Sequence, residues 1–153
     1  KLIESYILKD EFKNRIIFDG YPRNISQAKN LNLLLNKYNQ KISLVLKLAV
    51  DLETIKKRVS GRMVCSMCGK IYNQFFNPAP TGGKCCSSKY LQIRGDDTVD
   101  VAVKRYQTYE KQTEPVLDFY KDLNLLKVVN GGSPIEQIYK EISDIISLIE
   151  GWL

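Results

Sequence analysis

A chain of 153 residues with 44% apolar side chains has enough material for the core of one domain. No run of about 18 apolar residues occurs, which excludes a transmembrane helix. Twenty-three basic residues against 17 acidic give a net charge of +6, which suits an anionic ligand and equally fits nucleic acid or a membrane surface.

Residues 2–13 read as the end of a helix and Arg15–Phe18 as a strand. That short apolar run ends in Asp19, Gly20, Tyr21, Pro22 and Arg23, so a carboxylate and a guanidinium fall at the carboxyl end of a buried strand. Open α/β sheets place their ligands there. Ile25, Ala28, Leu31 and Leu35 mark one face of a helix over about 24–38. Ile42–Ala49 is nearly continuously apolar, as a buried parallel strand requires. Asp51 then caps a helix reaching about Arg58. From Arg62 to Gly95 the helical periodicity gives way to cysteines, aromatics, prolines and Gly82-Gly83, the pattern of a small β-rich insertion. Asp97-Thr98 starts a long helix with Val99, Val103, Tyr106 and Tyr109 on one face, and Pro115 begins the next helical stretch. Leu125–Val129 reads as the last strand and Asn130-Gly131-Gly132 as a turn. Ser133-Pro134 opens a final helix to about residue 149. Strands alternating with helices predict a parallel sheet with crossover helices. Three strands are few for such a core, which implies missing N-terminal strands. The opening Lys1-Leu2-Ile3-Glu4, without an initiator Met or a signal peptide, is read as a truncated start.

The absence of histidine removes the usual general base and the commonest metal ligand. Chemistry must run on carboxylates, arginines, backbone and metal. Six cations are arginine, namely Arg15, Arg23, Arg58, Arg62, Arg94 and Arg105. Their rigid fork binds phosphate oxygens bidentately, which lysine cannot do. Arg94 and Arg105 are separated by a turn and two helical turns, so both can converge on one site. Four cysteines between residues 65 and 86, with none elsewhere, suggest a local metal site rather than a disulfide framework. Thr81-Gly82-Gly83-Lys84 lacks the first glycine, the spacing and the following helix of a phosphate loop, and no Gly-x-x-x-x-Gly-Lys-(Ser/Thr) occurs in these residues.

Asp19-Gly20-Tyr21-Pro22-Arg23 resembles the Asp-Gly-(Phe/Tyr)-Pro-Arg signature of adenylate kinases and related nucleoside monophosphate kinases, and the rest of the chain follows that family in order. The resemblance implies an α/β fold: a parallel-sheet, P-loop-kinase-like core (N-terminal strands missing) with a small β-rich lid insertion. Residues 1–61 would be core with the end of the AMP-binding region, 62–95 the lid, and 96–153 core with the last strand and C-terminal helices. In the family, the residue matching Arg23 clamps the acceptor phosphate, that matching Gln27 reads the adenine edge of AMP, and that matching Asp19 holds a magnesium-bound water. Gly20 falls within the same AMP-binding turn. Arg58-Val59-Ser60-Gly61-Arg62 resembles the first lid base, with Arg58 over the donor base and Arg62 on its phosphates. Arg94-Gly95-Asp96-Asp97 with Arg105 resembles the second. There Arg94 and Arg105 contact the transferred phosphoryl group and the AMP side, while Asp96 and Asp97 hold lid geometry through arginine pairing and an N-cap. Arg62, Arg94 and Arg105 would be the catalytic arginines.

Cys65, Cys68 and Cys85 match three ligands of the zinc site in some family lids. Ser88 stands where the fourth is expected, with Cys86 adjacent to Cys85 instead. Zinc through Cys65, Cys68, Cys85 and Cys86 is one reading, and a metal-free lid with reduced thiols the other. Tyr72, Phe75, Phe76, Pro78 and Pro80 are expected to form lid core. The implied activity is phosphoryl transfer from ATP to AMP with Mg2+, by an intracellular, monomeric protein of the cytoplasm or mitochondrion. No membrane or nucleic-acid partner is expected, and without a P-loop these residues alone would be inactive. A GTP-AMP phosphotransferase is the alternative within enzymes. A basic zinc-ribbon module binding nucleic acid is the alternative of another class.

Overall fold

The computed structural model describes residues 2–13, 15–81 and 85–150. It divides into two compact units, Lys1–Ala49 with Thr108–Leu153, and Val50–Gln107. Gly82, Gly83 and Lys84 of the rejected phosphate-loop segment lie outside the described residues.

The first unit contains α1 (Leu2–Ile7), a 3-10 turn at Asp10–Phe12, α2 (Ile25–Lys37) and β1 (Val45–Ala49). Its later part holds a π-helical turn at Tyr109–Thr113, α5 (Glu114–Asp122), β5 (Leu126–Asn130) and α6 (Ile135–Glu150). β1 and β5 pair in parallel from Val45 opposite Leu126 to Ala49 opposite Asn130, as the alternation of strands and helices predicts. The expected strand Arg15–Phe18 is a correction: it is irregular and joins neither sheet formed by the described residues. Its alternation is real, however. Ile16 and Phe18 pack against Ile7, Leu31 and Leu35, whereas Ile17 is 92% exposed. Period-two burial reports which face meets a core, not whether a neighbouring strand accepts the ladder bonds. A second cluster joins Ala28 of α2 to Val116 and Tyr120 of α5, with Ile42, Val45 and Leu125 around it. The apolar face of α2 thus spans both clusters. Pro115 lies in the first turn of α5, directly after the π-helical turn, in a helical run that does not break between Tyr109 and Asp122. A wider turn beside a proline is how a helix continues past its missing N–H.

The second unit contains α3 (Leu52–Ser60), β2 (Arg62–Cys65), β3 (Ile71–Asn73), β4 (Leu91–Gln92) and α4 (Val99–Thr108). The strands form an antiparallel sheet in the order β3-β2-β4. Asp51 caps α3 as expected, its Oδ1 accepting from the Thr54 N–H at 2.8 Å. The buried apolar residues of this unit, among those described, are Cys65, Cys86 and Ala102. Phe75 and Phe76, expected as lid core, are each 53% exposed, and Pro78 and Pro80 are exposed too. A three-stranded sheet of two to four residues per strand has too little area to bury them. What lies at its centre is a cluster of thiols.

Candidate functional site

Within the first unit, the Asp19–Arg23 turn is built around Gly20. Its φ of +67° is a left-handed value that only glycine adopts without cost, and an added Cβ would lie 3.1 Å from Arg23 Nη2. Arg23 Nε donates to the Gly20 carbonyl at 2.7 Å, which folds the guanidinium back over the turn. Asn24 caps α2 by accepting from the Gln27 N–H at 2.9 Å. Gln27 Oε1 accepts from the Arg23 N–H at 2.8 Å, so the two side chains expected to share one ligand are tied through backbone. The Thr113 hydroxyl donates to the Arg23 carbonyl at 3.1 Å. Nothing in the spacing pointed to Thr113, which is 90 residues away in sequence. Asp19 and Arg23 are exposed, and Gln27 is half-buried.

Within the second unit, Arg58 and Arg62 flank Gly61 at the junction of α3 and β2. The Arg58 Cζ lies 5.7 Å from the centre of the Phe76 ring. Arg62 Nη1 lies 3.4 Å from Oδ1 of Asp97, a buried acid. Asp96 sits between two guanidiniums, 3.8 Å from Arg94 Nε and 3.3 Å from Arg105 Nη2. Its hydrogen bond from Arg105, helped by its own backbone N–H and the Arg94 charge, holds its carboxyl below the ordinary value of 3.8. Arg94 and Arg105 are therefore brought together, with Asp96 as the shared counter-ion. The N-cap expected here comes from Thr98 instead, whose hydroxyl accepts from the Val101 N–H at 3.3 Å. Asp97 is drawn inward to Arg62 and is not available for the cap.

The sulfurs of Cys65, Cys68, Cys85 and Cys86 all lie within 4.8 Å of one another and could hold a metal ion. Cys65 to Cys85 is 3.8 Å, while Cys68 to Cys86 and Cys85 to Cys86 are each 3.5 Å. Two adjacent cysteines point at one centre because Cys86 takes a φ of +66°, the local strain that such a pair demands. Burial works to raise the Cys65 thiol, yet the backbone N–H groups of Cys68 and Met67 outweigh it and hold it at about 6. Cys85 is pushed up to about 12 by hydrogen bonds with Cys68 and Cys86 and by burial. Tyr72, bonded to the Cys86 sulfur, is also raised to about 12. Sequence reasoning placed Tyr72 in the lid without seeing this bond.

The description "Adenylate kinase" belongs to the family profile that matches residues 1–125. Curated relatives agree. The chain is 37% identical over 147 residues to an adenylate kinase of Pelagibacter ubique (strain HTCC1062), covering 96% of this chain and 69% of the relative. It is 37% identical to that of Thermosipho africanus (strain TCF52B), covering 95% of this chain and 68% of the relative. Against the adenylate kinase of Bacillus subtilis (strain 168) it is 34% identical over 146 residues, covering 95% and 67%. These matches do not favour a nucleic-acid-binding zinc ribbon. Among the described residues no helix is long and apolar enough to cross a membrane. With its α/β fold and parallel strands, the chain belongs to the adenylate kinase family, whose members are nucleoside monophosphate kinases.

Proposed function

We propose that the protein catalyses reversible phosphoryl transfer from ATP to AMP, giving two ADP. The observation that carries this reading is the Arg94–Asp96–Arg105 cluster, two exposed forks held side by side by one carboxylate. Phosphoryl transfer asks the protein for aligned oxygens, neutralised charge and excluded water rather than for covalent chemistry. Arg94 and Arg105 leave Asp96 for the oxygens of the transferring group and the AMP side. Arg62 takes the donor phosphates with the N–H groups that do not face Asp97, and Arg58 covers the donor base. Arg23, Gln27 and Gly20 form the acceptor end: the fork clamps the AMP phosphate, and the free amide edge of Gln27 reads the base. Asp19 holds a water of the magnesium ion that travels with the nucleotide, a role its exposed carboxylate suits. Residues 62–95 serve as a lid between the core segments 1–61 and 96–153. An assay of the full-length protein tests the reading. AMP-dependent ADP formation from ATP supports it, and equal turnover with GTP or with other nucleoside monophosphates goes against the donor or acceptor assignment.

The thiol cluster fits zinc. Bonds of about 2.3 Å in a tetrahedron place sulfurs about 3.8 Å apart, close to the 3.5–3.8 Å of the Cys65–Cys85, Cys68–Cys86 and Cys85–Cys86 pairs, all four sulfurs lying within 4.8 Å of one another. Cys65, Cys68, Cys85 and Cys86 would hold the ion as thiolates, and its contribution is structural: it cross-links β2 to the segment before β4. A unit whose described core is two cysteines and an alanine gains most of its cohesion from such a staple. Free thiols used this way fit a reducing, intracellular setting, and the proposed unit of function is a monomer.

A further inference from the structure

The structure assigns to Asn73 the positioning of Arg58, through a joint that also fixes Phe76; the inference rests on the reading of Arg58 as the cover of the donor base. Asn73 closes β3, and its Nδ2 donates to the Arg58 carbonyl at 2.9 Å and the Lys57 carbonyl at 3.5 Å. Both carbonyls belong to the last turn of α3, and that of Lys57 also accepts from the Gly61 N–H at 2.9 Å. On its other side Asn73 Oδ1 accepts from the Phe75 N–H at 2.9 Å and the Phe76 N–H at 3.3 Å. One amide therefore ties the backbone that carries Arg58 to the backbone that carries Phe76. The loop closes a second time through the side chains, since the Phe76 ring lies 5.7 Å from the Arg58 guanidinium carbon.

The joint has no slack. Asn73 and Asn77 exchange backbone hydrogen bonds of 2.8 and 2.9 Å, which fixes the turn bearing both phenylalanines. A Cβ on Gly61 would come within 2.8 Å or less of Phe75 Cδ2 (2.7 Å), Asn73 Oδ1 and the Lys57 carbonyl (2.8 Å each). An amide is the side chain that presents a donor to two carbonyls and an acceptor to two N–H groups at once. An aspartate of the same shape would set a second acceptor against those carbonyls. Asn73 and Phe76 thus hold Arg58 at its carbonyl and at its guanidinium, and a planar base can lie against the wall so formed.

ATP and inorganic tripolyphosphate separate base from phosphate recognition, so binding of both is measured in the full-length protein and its Arg58→Ala, Asn73→Asp and Phe76→Leu variants. Phe76→Leu keeps every backbone hydrogen bond of the joint and reports even if Asn73→Asp folds poorly. The expected result is roughly tenfold weaker ATP binding in Asn73→Asp and about threefold in Phe76→Leu, with tripolyphosphate unchanged and Arg58→Ala behaving alike. If Arg58→Ala loses ATP selectively while Asn73→Asp and Phe76→Leu do not, Asn73 positions nothing and the inference is overturned. Equal loss of ATP and tripolyphosphate in the two joint variants overturns it too, leaving a structural role. If Arg58→Ala weakens both probes alike, the base-covering role of Arg58 itself falls.

Discussion

Arg62 Nη1 stands 3.4 Å from Oδ1 of Asp97, a carboxylate whose side chain is 2% exposed. The other oxygen, Oδ2, is buried and accepts no hydrogen bond among the described residues. A buried acid with one cationic partner is costly to strip of that partner, because the charge left behind keeps its desolvation penalty. Arg62→Met should destabilise the second unit by about 1–3 kcal/mol, less than a fully buried pair because the arginine is partly solvated. Adding Asp97→Asn should restore most of that loss. Chemical denaturation of the two single variants and the double variant checks this; additive losses would mean that the two groups do not interact.

Asp96 gives the pH dependence a definite sign. Its folded value is depressed, first by the Arg105 hydrogen bond, so the pairing contributes above the ordinary 3.8 and is lost as pH falls through the lower folded value. The arginine cluster should therefore be intact at neutral pH and come apart only in acid. A carbon-detected titration of the Asp96 carboxyl should show a midpoint below 3.8, moving up toward it in Arg105→Ala. An unchanged midpoint in that variant would assign the shift to some other group.

The two parallel strands were legible as apolar runs bounded by turn residues, but β1, expected to be buried from Ile42, begins at Val45 and is only partly buried, with Leu48 53% exposed. What could not be read is which neighbour satisfies each polar or paired group. Arg15–Phe18 carries the right alternation and no ladder. Asp97 and Thr98 are both good caps, and the choice fell to Thr98 because Asp97 had a guanidinium to meet. Phe75 and Phe76 are apolar by composition and yet exposed, one of them serving as a platform for Arg58. The Asp19–Arg23 turn and the helix start at Asn24 were legible, since their hydrogen bonds are local. Asn73 and Thr113 were not, because their partners are 15 and 90 residues away.

The thiol cluster should bind one zinc per chain, and chelation should melt the second unit before the first. Protein purified without chelator is analysed for metal, and cobalt substitution reports the ligand set through thiolate charge-transfer absorption. Cys86→Ser should weaken binding by an order of magnitude or more, because the adjacent pair supplies half of the ligands. Four freely titrating thiols with no bound metal would leave the lid metal-free.

The central claim is that Arg94 acts on the transferring phosphoryl group whereas Arg23 holds the acceptor phosphate throughout. Steady-state kinetics of Arg94→Lys and Arg23→Lys in the full-length protein test it most directly. Lysine keeps the charge and loses the fork, so Arg94→Lys should lower kcat on the order of 10²- to 10³-fold, about 3–4 kcal/mol of transition-state stabilisation, with KM for AMP nearly unchanged. Arg23→Lys should raise KM for AMP with a much smaller effect on kcat. If Arg94→Lys left turnover within about threefold of the unaltered protein, or changed KM alone, the arginine would serve the structure of the lid and the proposed site would be wrong.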